Sequence, residues 1–182
     1  MPILLKSKSQ LPAFAAVGLS DSAVRESRER VNAAIKNSNL PFPQKRITIK
    51  LAPADIKKEG SAFDLPIAIG ILAASGIVSQ DGIENYVILS ELSLDGSIRL
   101  ILGALLISVE ITTIEPKGII LPVENASEAA MAQNVKVYPI SSLSEAVAFF
   151  NGELSIEPFR VSLEEVFISS LHYRIDFHDV KG

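Results

Sequence analysis

The chain has 182 residues, with 17 lysines and arginines against 21 aspartates and glutamates, a formal net charge of -4, and 48% hydrophobic residues. This is the composition of a globular chain long enough to bury one core, without the overall basic excess that marks a nucleic-acid partner. The absence of cysteine excludes disulfides, thiolate catalysis and zinc–thiolate sites, and the two histidines, His172 and His178, leave little for a histidine triad or a multi-histidine metal site.

No secretory leader is legible, because the lysines of MPILLKSKSQ follow the apolar stretch instead of preceding it. No apolar run reaches the ~18 residues of a membrane span. The longest, residues 65–78 and 100–111, read as buried core helices. A cytoplasmic location without membrane contact is the expectation.

Residues 3–6 and 14–17 read as short strands. SKSQLP lies between them as a turn, which suggests a hairpin or strand pair. A helix follows from Ser20, with Val24, Val31, Ala34 and Ile35 at helical spacing, and Pro41 and Pro43 close it. RITIKL alternates strictly, putting Ile47, Ile49 and Leu51 on one face and Arg46, Thr48 and Lys50 on the other. After a charged loop, Asp64 stands as an N-cap candidate and Pro66 lies in the first turn of a helix that is apolar nearly all round.

Residues 86–92 read as a buried strand. Asp95-Gly96 is a hairpin signal between residues 92–94 and 98–101. Gly103 opens another helix. Residues 118–121 form a strand stopped by Pro122, Asn125 starts a short helix, and residues 135–140 form a further strand. Ser142 with Glu145 is a capping box, and Gly152 ends the last helix. Strands and helices mix in the manner of an α/β or α+β layer. The core should span residues 1–152, with residues 153–182 as a connector carrying a short helix near 163–171.

Three stretches carry a family resemblance: residues 11–76, from LPAFAAVGLSDSAVRESRERV through DLPIAIGILAASG; ELSLDGSIR at 91–99; and IILPVENASEAA at 119–130. They resemble the N-terminal domain of the ComM/YifB family of magnesium-chelatase-like, ChlI-related AAA+ ATPases. The tail IDFHDVKG is similar to the segment that leads into the AAA+ module of that family. No GxxxxGK[ST] occurs in the 182 residues, so no Walker A loop is present in them. Relatives carry roughly one more strand before the position of Ile3, with the boundary error of sequence reading.

The resemblance implies a two-layer, Lon-protease-like fold, also called ribosomal-S5-domain-2-like, with a mixed sheet and helices packed on it. Lon-type peptidases use a serine–lysine dyad. By pattern, the nucleophile position falls at Asp64 and the lysine position at Leu105, neither of which can do that chemistry. The implied role is non-catalytic: assembly of a hexameric ring with the chain's own AAA+ module, or DNA engagement in a branch-migration helicase of natural transformation. ATP and Mg2+ would belong to that module, with no cofactor in these residues. An assembly module without DNA contact is the alternative, and a cryptic peptidase the remote one.

Several constellations have both a functional and an ordinary reading. Lys45, Arg46, Lys50, Lys57 and Lys58 are candidate phosphate or DNA contacts, and equally a solvated strand face beside a charged loop. Arg25, Arg28, Arg30 and Lys36 would extend the patch, although Glu26 and Glu29 interleave. Asp64 reads as a structural helix cap, and Ser61 as a displaced nucleophile or a loop serine. Asp55, Glu59, Asp64 and Glu91 lack metal-ligand spacing, so no metal is expected. His172 and His178 read as linker residues.

Overall fold

The computed structural model describes residues 3–8, 14–17, 21–43, 46–51 and 61–162. Three strands form a mixed sheet: β1 (Ile3–Lys8), β2 (Phe14–Val17) and β3 (Arg46–Leu51), in the order β1-β3-β2. β3 runs antiparallel to β1 and parallel to β2. The first two strands therefore do not pair with each other, as a hairpin would require. β3 inserts between them after the chain has crossed over through α1 (Asp21–Asn37). Its alternation is as read for the described side chains, with Ile47 and Ile49 buried.

A second, all-parallel sheet has the order β4-β7-β8, from β4 (Tyr86–Ile88), β7 (Gly118–Pro122) and β8 (Val137–Ile140). The expected strand over 86–92 splits in two. Leu89 N–H still donates to Ile120 O of β7 at 3.1 Å, but Ser90 N–H turns to Ala62 O at 3.0 Å, and β5 (Glu91–Leu92) pairs antiparallel with β6 (Ile98–Arg99) in a separate hairpin. Helices α2 (Asp64–Ala74), α3 (Ala104–Glu110), α4 (Ala126–Ala130) and α5 (Leu143–Phe150) complete a two-layer α/β arrangement.

β7 divides the core. All five of its residues are buried; Ile120 faces a cluster formed with α1, α2, β3 and α5, whereas Ile119 and Leu121 face a second cluster with α3 and α4. A strand covered on both faces needs a continuous apolar run, which GIILP supplies. α2 lies at the centre of the first cluster, with Leu65, Ile67, Ala68, Ile69, Ile71 and Leu72 sealed from solvent, as its all-round apolar sequence requires.

The hairpin turn differs from the two-residue form expected of Asp95-Gly96. Gly96 N–H bonds to Ser93 O at 3.0 Å, and only Gly96 takes positive φ, +86°. The loop is thus a four-residue turn whose last position is left-handed. Asp95 instead accepts hydrogen bonds from the Ser97 N–H and hydroxyl at 3.0 and 2.7 Å. The hairpin is held from both sides: Asn37 Nδ2 donates to Leu94 O at 2.6 Å, and Leu143 N–H donates to Gly96 O at 2.9 Å.

One further expectation is corrected. Residues 100–111 are not a buried helix, since Leu102 is 89% and Leu106 76% exposed. Residues just past Gly152 make contacts with the body. Phe159 bridges to Val137, its N–H donating to Val137 O at 2.7 Å, and Val161 packs on the second cluster.

Candidate functional site

Asp64 is the first residue of α2 and is 1% exposed. It does not cap its helix. The N-cap position is Phe63, which makes no side-chain cap bond, and the Asp64 carboxylate turns instead towards α1. Ser27 Oγ donates to Oδ1 at 2.8 Å, Arg30 Nε to Oδ2 at 2.6 Å and Arg30 Nη2 to Oδ1 at 3.3 Å. The Leu92 N–H of β5 approaches Oδ2 at 3.5 Å. The carboxylate thus ties α1, α2 and the β5 hairpin into one junction. The forked guanidinium contact is the strong kind of charge-assisted pair.

Burial pushes the Asp64 carboxyl above the usual aspartate range, against the opposing pull of the Arg30 and Ser27 hydrogen bonds. The bond to Asp64 pushes Arg30 further up, so the guanidinium stays a cation. Glu26 adds a looser contact to Arg30 at 3.8 Å on the solvent side. Both carboxylate oxygens of Asp64 face donors of the protein itself, which leaves none aimed at a substrate.

Ser61, the alternative nucleophile, donates its hydroxyl to the Glu91 carboxylate. Among the described residues no lysine or histidine bonds to it, so the base of a serine–lysine dyad is not supplied there. Leu105 lies on α3, half-buried, and its backbone N–H donates to Glu128 Oε1 at 3.2 Å. Nearby, Asn125 is buried and brackets the Ile101 peptide: its Oδ1 accepts from Ile101 N and its Nδ2 donates to Ile101 O, both at 2.9 Å.

The basic candidates are not brought together by described side chains. Lys45, Lys57 and Lys58 lie outside the described residues. Arg46 and Lys50 sit at alternate positions of β3, the central strand, and their side chains lie outside what is described. Asp55, Glu59, His172 and His178 are outside as well. Among the described residues no group of three or more histidine, aspartate or glutamate side chains could hold a metal ion. Nor is any helix there long and apolar enough to cross a membrane.

Sequence reasoning missed Ser27 and Arg30 as partners of Asp64. A signal was present. Ser27, Arg30, Val31 and Ala34 follow i, i+3, i+4, i+7 spacing, and Val31 and Ala34 belong to the buried face. A serine and an arginine on an apolar stripe call for a buried acceptor.

Residues 3–125 match the family described as Subunit ChlI of Mg-chelatase. The chain belongs to that family. It is 40% identical over 147 residues to the uncharacterized protein YifB of Salmonella typhimurium, a match covering 81% of this chain and 29% of that protein. With the competence protein ComM of Haemophilus influenzae it shares 35% identity over 175 residues, 94% of this chain and 34% of the relative. The Escherichia coli YifB is 38% identical over 147 residues, 81% of this chain and 29% of its own length. The chain thus spans about a third of the length of the curated relatives it matches.

Proposed function

We propose that this chain is the non-catalytic, Lon-like N-terminal domain of a magnesium-chelatase-like AAA+ ATPase, and that it serves assembly of the ring on which that ATPase works. The observation that carries the reading is the pair of residues at the positions where a Lon-type peptidase holds its dyad. Asp64 has both oxygens engaged by Ser27 and Arg30, and Leu105 offers no base. A fold that keeps such a junction while lacking the nucleophile and base is suited to holding shape and presenting surfaces. ATP and Mg2+ belong to the module beyond residue 182, the motor acts on DNA as a branch-migration helicase, and the protein works in the cytoplasm. The link to competence rests on the printed name of the Haemophilus relative.

A second reading makes the domain a direct DNA contact. Arg25 and Arg28, both exposed on α1, favour it together with the lysines of residues 45–58. The two readings separate in one set of titrations. The assembly reading predicts that the 182-residue chain self-associates or binds the separately made remainder of its native polypeptide, with no affinity for DNA that falls steeply with salt. A monomer that ignores the remainder contradicts it. Salt-sensitive DNA binding weakened by Lys50→Glu or Lys57→Glu would establish the second reading instead. Cleavage of an unfolded protein, lost in Ser61→Ala, would overturn both.

A further inference from the structure

Asn151 and Gly152 are the one Asn-Gly pair of the 182 residues. They close α5. Asn151 is its C-cap, with helical angles of φ -80° and ψ -4°, and Gly152 turns the chain with φ +72°. The Asn151 side-chain amide is held at both ends: Oδ1 accepts from the Ser79 N–H at 2.9 Å and Nδ2 donates to Ile77 O at 3.1 Å. Both partners belong to the loop that follows α2, so a single side chain pins the end of α5 to the end of α2. The Gly152 N–H is engaged as well, donating to Phe149 O at 3.1 Å.

An asparagine followed by glycine carries a chemistry of its own, in which water replaces the amide without an enzyme. The Gly152 nitrogen gives its proton to solvent and attacks Asn151 Cγ. The new N–C bond closes a five-membered succinimide, the Cγ–Nδ2 bond breaks, and Nδ2 leaves as ammonia. Water then opens the ring, at Cγ to give aspartate or at the main-chain carbonyl to give isoaspartate, whose chain runs through Cβ. Glycine favours the attack because no Cβ shields its nitrogen or restricts its torsions. In the folded chain the atoms of that step are restrained. The attacking nitrogen is bonded to Phe149 O, the oxygen and nitrogen of the amide are bonded to the loop, and the backbone of Asn151 stays helical.

We propose that Asn151–Gly152 is a site of spontaneous deamidation gated by the fold, which reacts only when the end of α5 parts from the loop after α2. The reaction runs one way, and its product loosens the junction that held it back. An aspartate at 151 has no Nδ2 to donate to Ile77 O. Isoaspartate adds a carbon to the main chain just before the Glu153 and Leu154 N–H groups, which donate to Ala148 O at 2.8 and 3.1 Å. Those two bonds direct the chain away from α5 towards Phe159 at the edge of β8. Deamidation therefore changes how the residues after Gly152 leave the domain, whatever the domain assembles with.

Peptide mass spectrometry of the full 182-residue chain, kept at mildly alkaline pH, measures the conversion of amide to acid at residue 151. The folded chain should convert at least about tenfold more slowly than the same chain unfolded in urea, since a closed site reacts only through its open fraction. Phe149→Ala removes a half-buried ring that packs on Tyr86, Tyr138 and Phe150 at the end of α5, and should bring the folded chain closer to the unfolded rate. Equal rates in the folded and unfolded chains, or a folded rate that ignores Phe149→Ala, overturn the gating. Asn151→Asp stands in for the product and should speed amide hydrogen exchange at Glu153 and Leu154. Unchanged exchange at both contradicts the loosening.

Discussion

Arg30 of α1 and Asp64 of α2, 34 positions apart in sequence, meet with Nε 2.6 Å from Oδ2 where the first two helices join the β5 hairpin. The acid is sealed from solvent and the guanidinium is partly exposed. Removing only the arginine leaves a buried carboxyl with Ser27 as its remaining side-chain donor. Arg30→Leu should cost about 2–3 kcal/mol, below the roughly 3–5 kcal/mol for breaking a fully buried pair, because the arginine is partly screened. Arg30→Leu with Asp64→Leu should cost less than Arg30→Leu alone, since an apolar pair needs no partner. Denaturant unfolding of the wild type and the three variants measures the cycle. A double variant that loses as much as both single ones added would remove the pair from the account.

Two aspartates should titrate in opposite directions. Burial holds Asp64 above the usual aspartate range, whereas the Ser97 hydroxyl and N–H hold Asp95 below it. An acid whose pKa is raised on folding binds its proton more tightly when folded. The Asp64 contribution to stability therefore falls as pH rises from the ordinary aspartate value through its raised one, and returns below it. Asp95 works the other way, its contribution present above the ordinary value and lost as pH falls through the lowered one. Carboxyl carbon NMR across the acid range should place the Asp64 midpoint above that of Asp95, and the reverse order would contradict the burial argument.

Asn125 substitutes for a strand at the Ile101 peptide, satisfying both its N–H and its C=O at 2.9 Å. Asn125→Ala orphans two buried backbone groups at once and should destabilise by about 2–4 kcal/mol. Asn125→Asp should not rescue it, because a carboxylate cannot donate to Ile101 O. Thermal unfolding checks both, and a loss under ~1 kcal/mol for the alanine would mean that water replaces the side chain there.

Gly96 combines two constraints that Gly76 separates. Both take positive φ, +86° and +77°, but a Cβ on Gly96 would run into Ser38 Oγ and lie 3.3 Å from Ala34 O, whereas Gly76 has open space. Gly76→Ala should cost about 1 kcal/mol of backbone strain and Gly96→Ala about 1–2, because the Ser38 hydroxyl must rotate away and the Ala34 carbonyl must give by a few tenths of an ångström. Equal losses in thermal melts would show that the hairpin is not seated against α1.

Local chemistry made much of this fold legible. Ser142 and Glu145 behave as a capping box, with Glu145 N–H donating to Ser142 Oγ at 3.2 Å while the Glu145 carboxylate takes the Ser141 N–H. β7 and α2 announced their burial through unbroken apolar runs. What stayed hidden depends on partners distant in sequence. Nothing in residues 3–17 says that β3 will separate β1 from β2. A largely apolar helix such as α3, with only Ser108 and Glu110 polar, does not say which face its neighbours leave bare. Asp64 looked like a cap because its position next to a helix start satisfies that rule, and only the arrival of Arg30 from α1 shows where its oxygens go.

The central claim, a domain that serves ring assembly, is tested most directly by mass photometry of the full-length native polypeptide with ATP and Mg2+, compared with the same polypeptide lacking residues 1–162. The account predicts closed rings for the whole polypeptide and smaller, heterogeneous species for the shortened one. Identical rings from both would contradict it and move the role of this domain from building the ring to serving what the ring acts on.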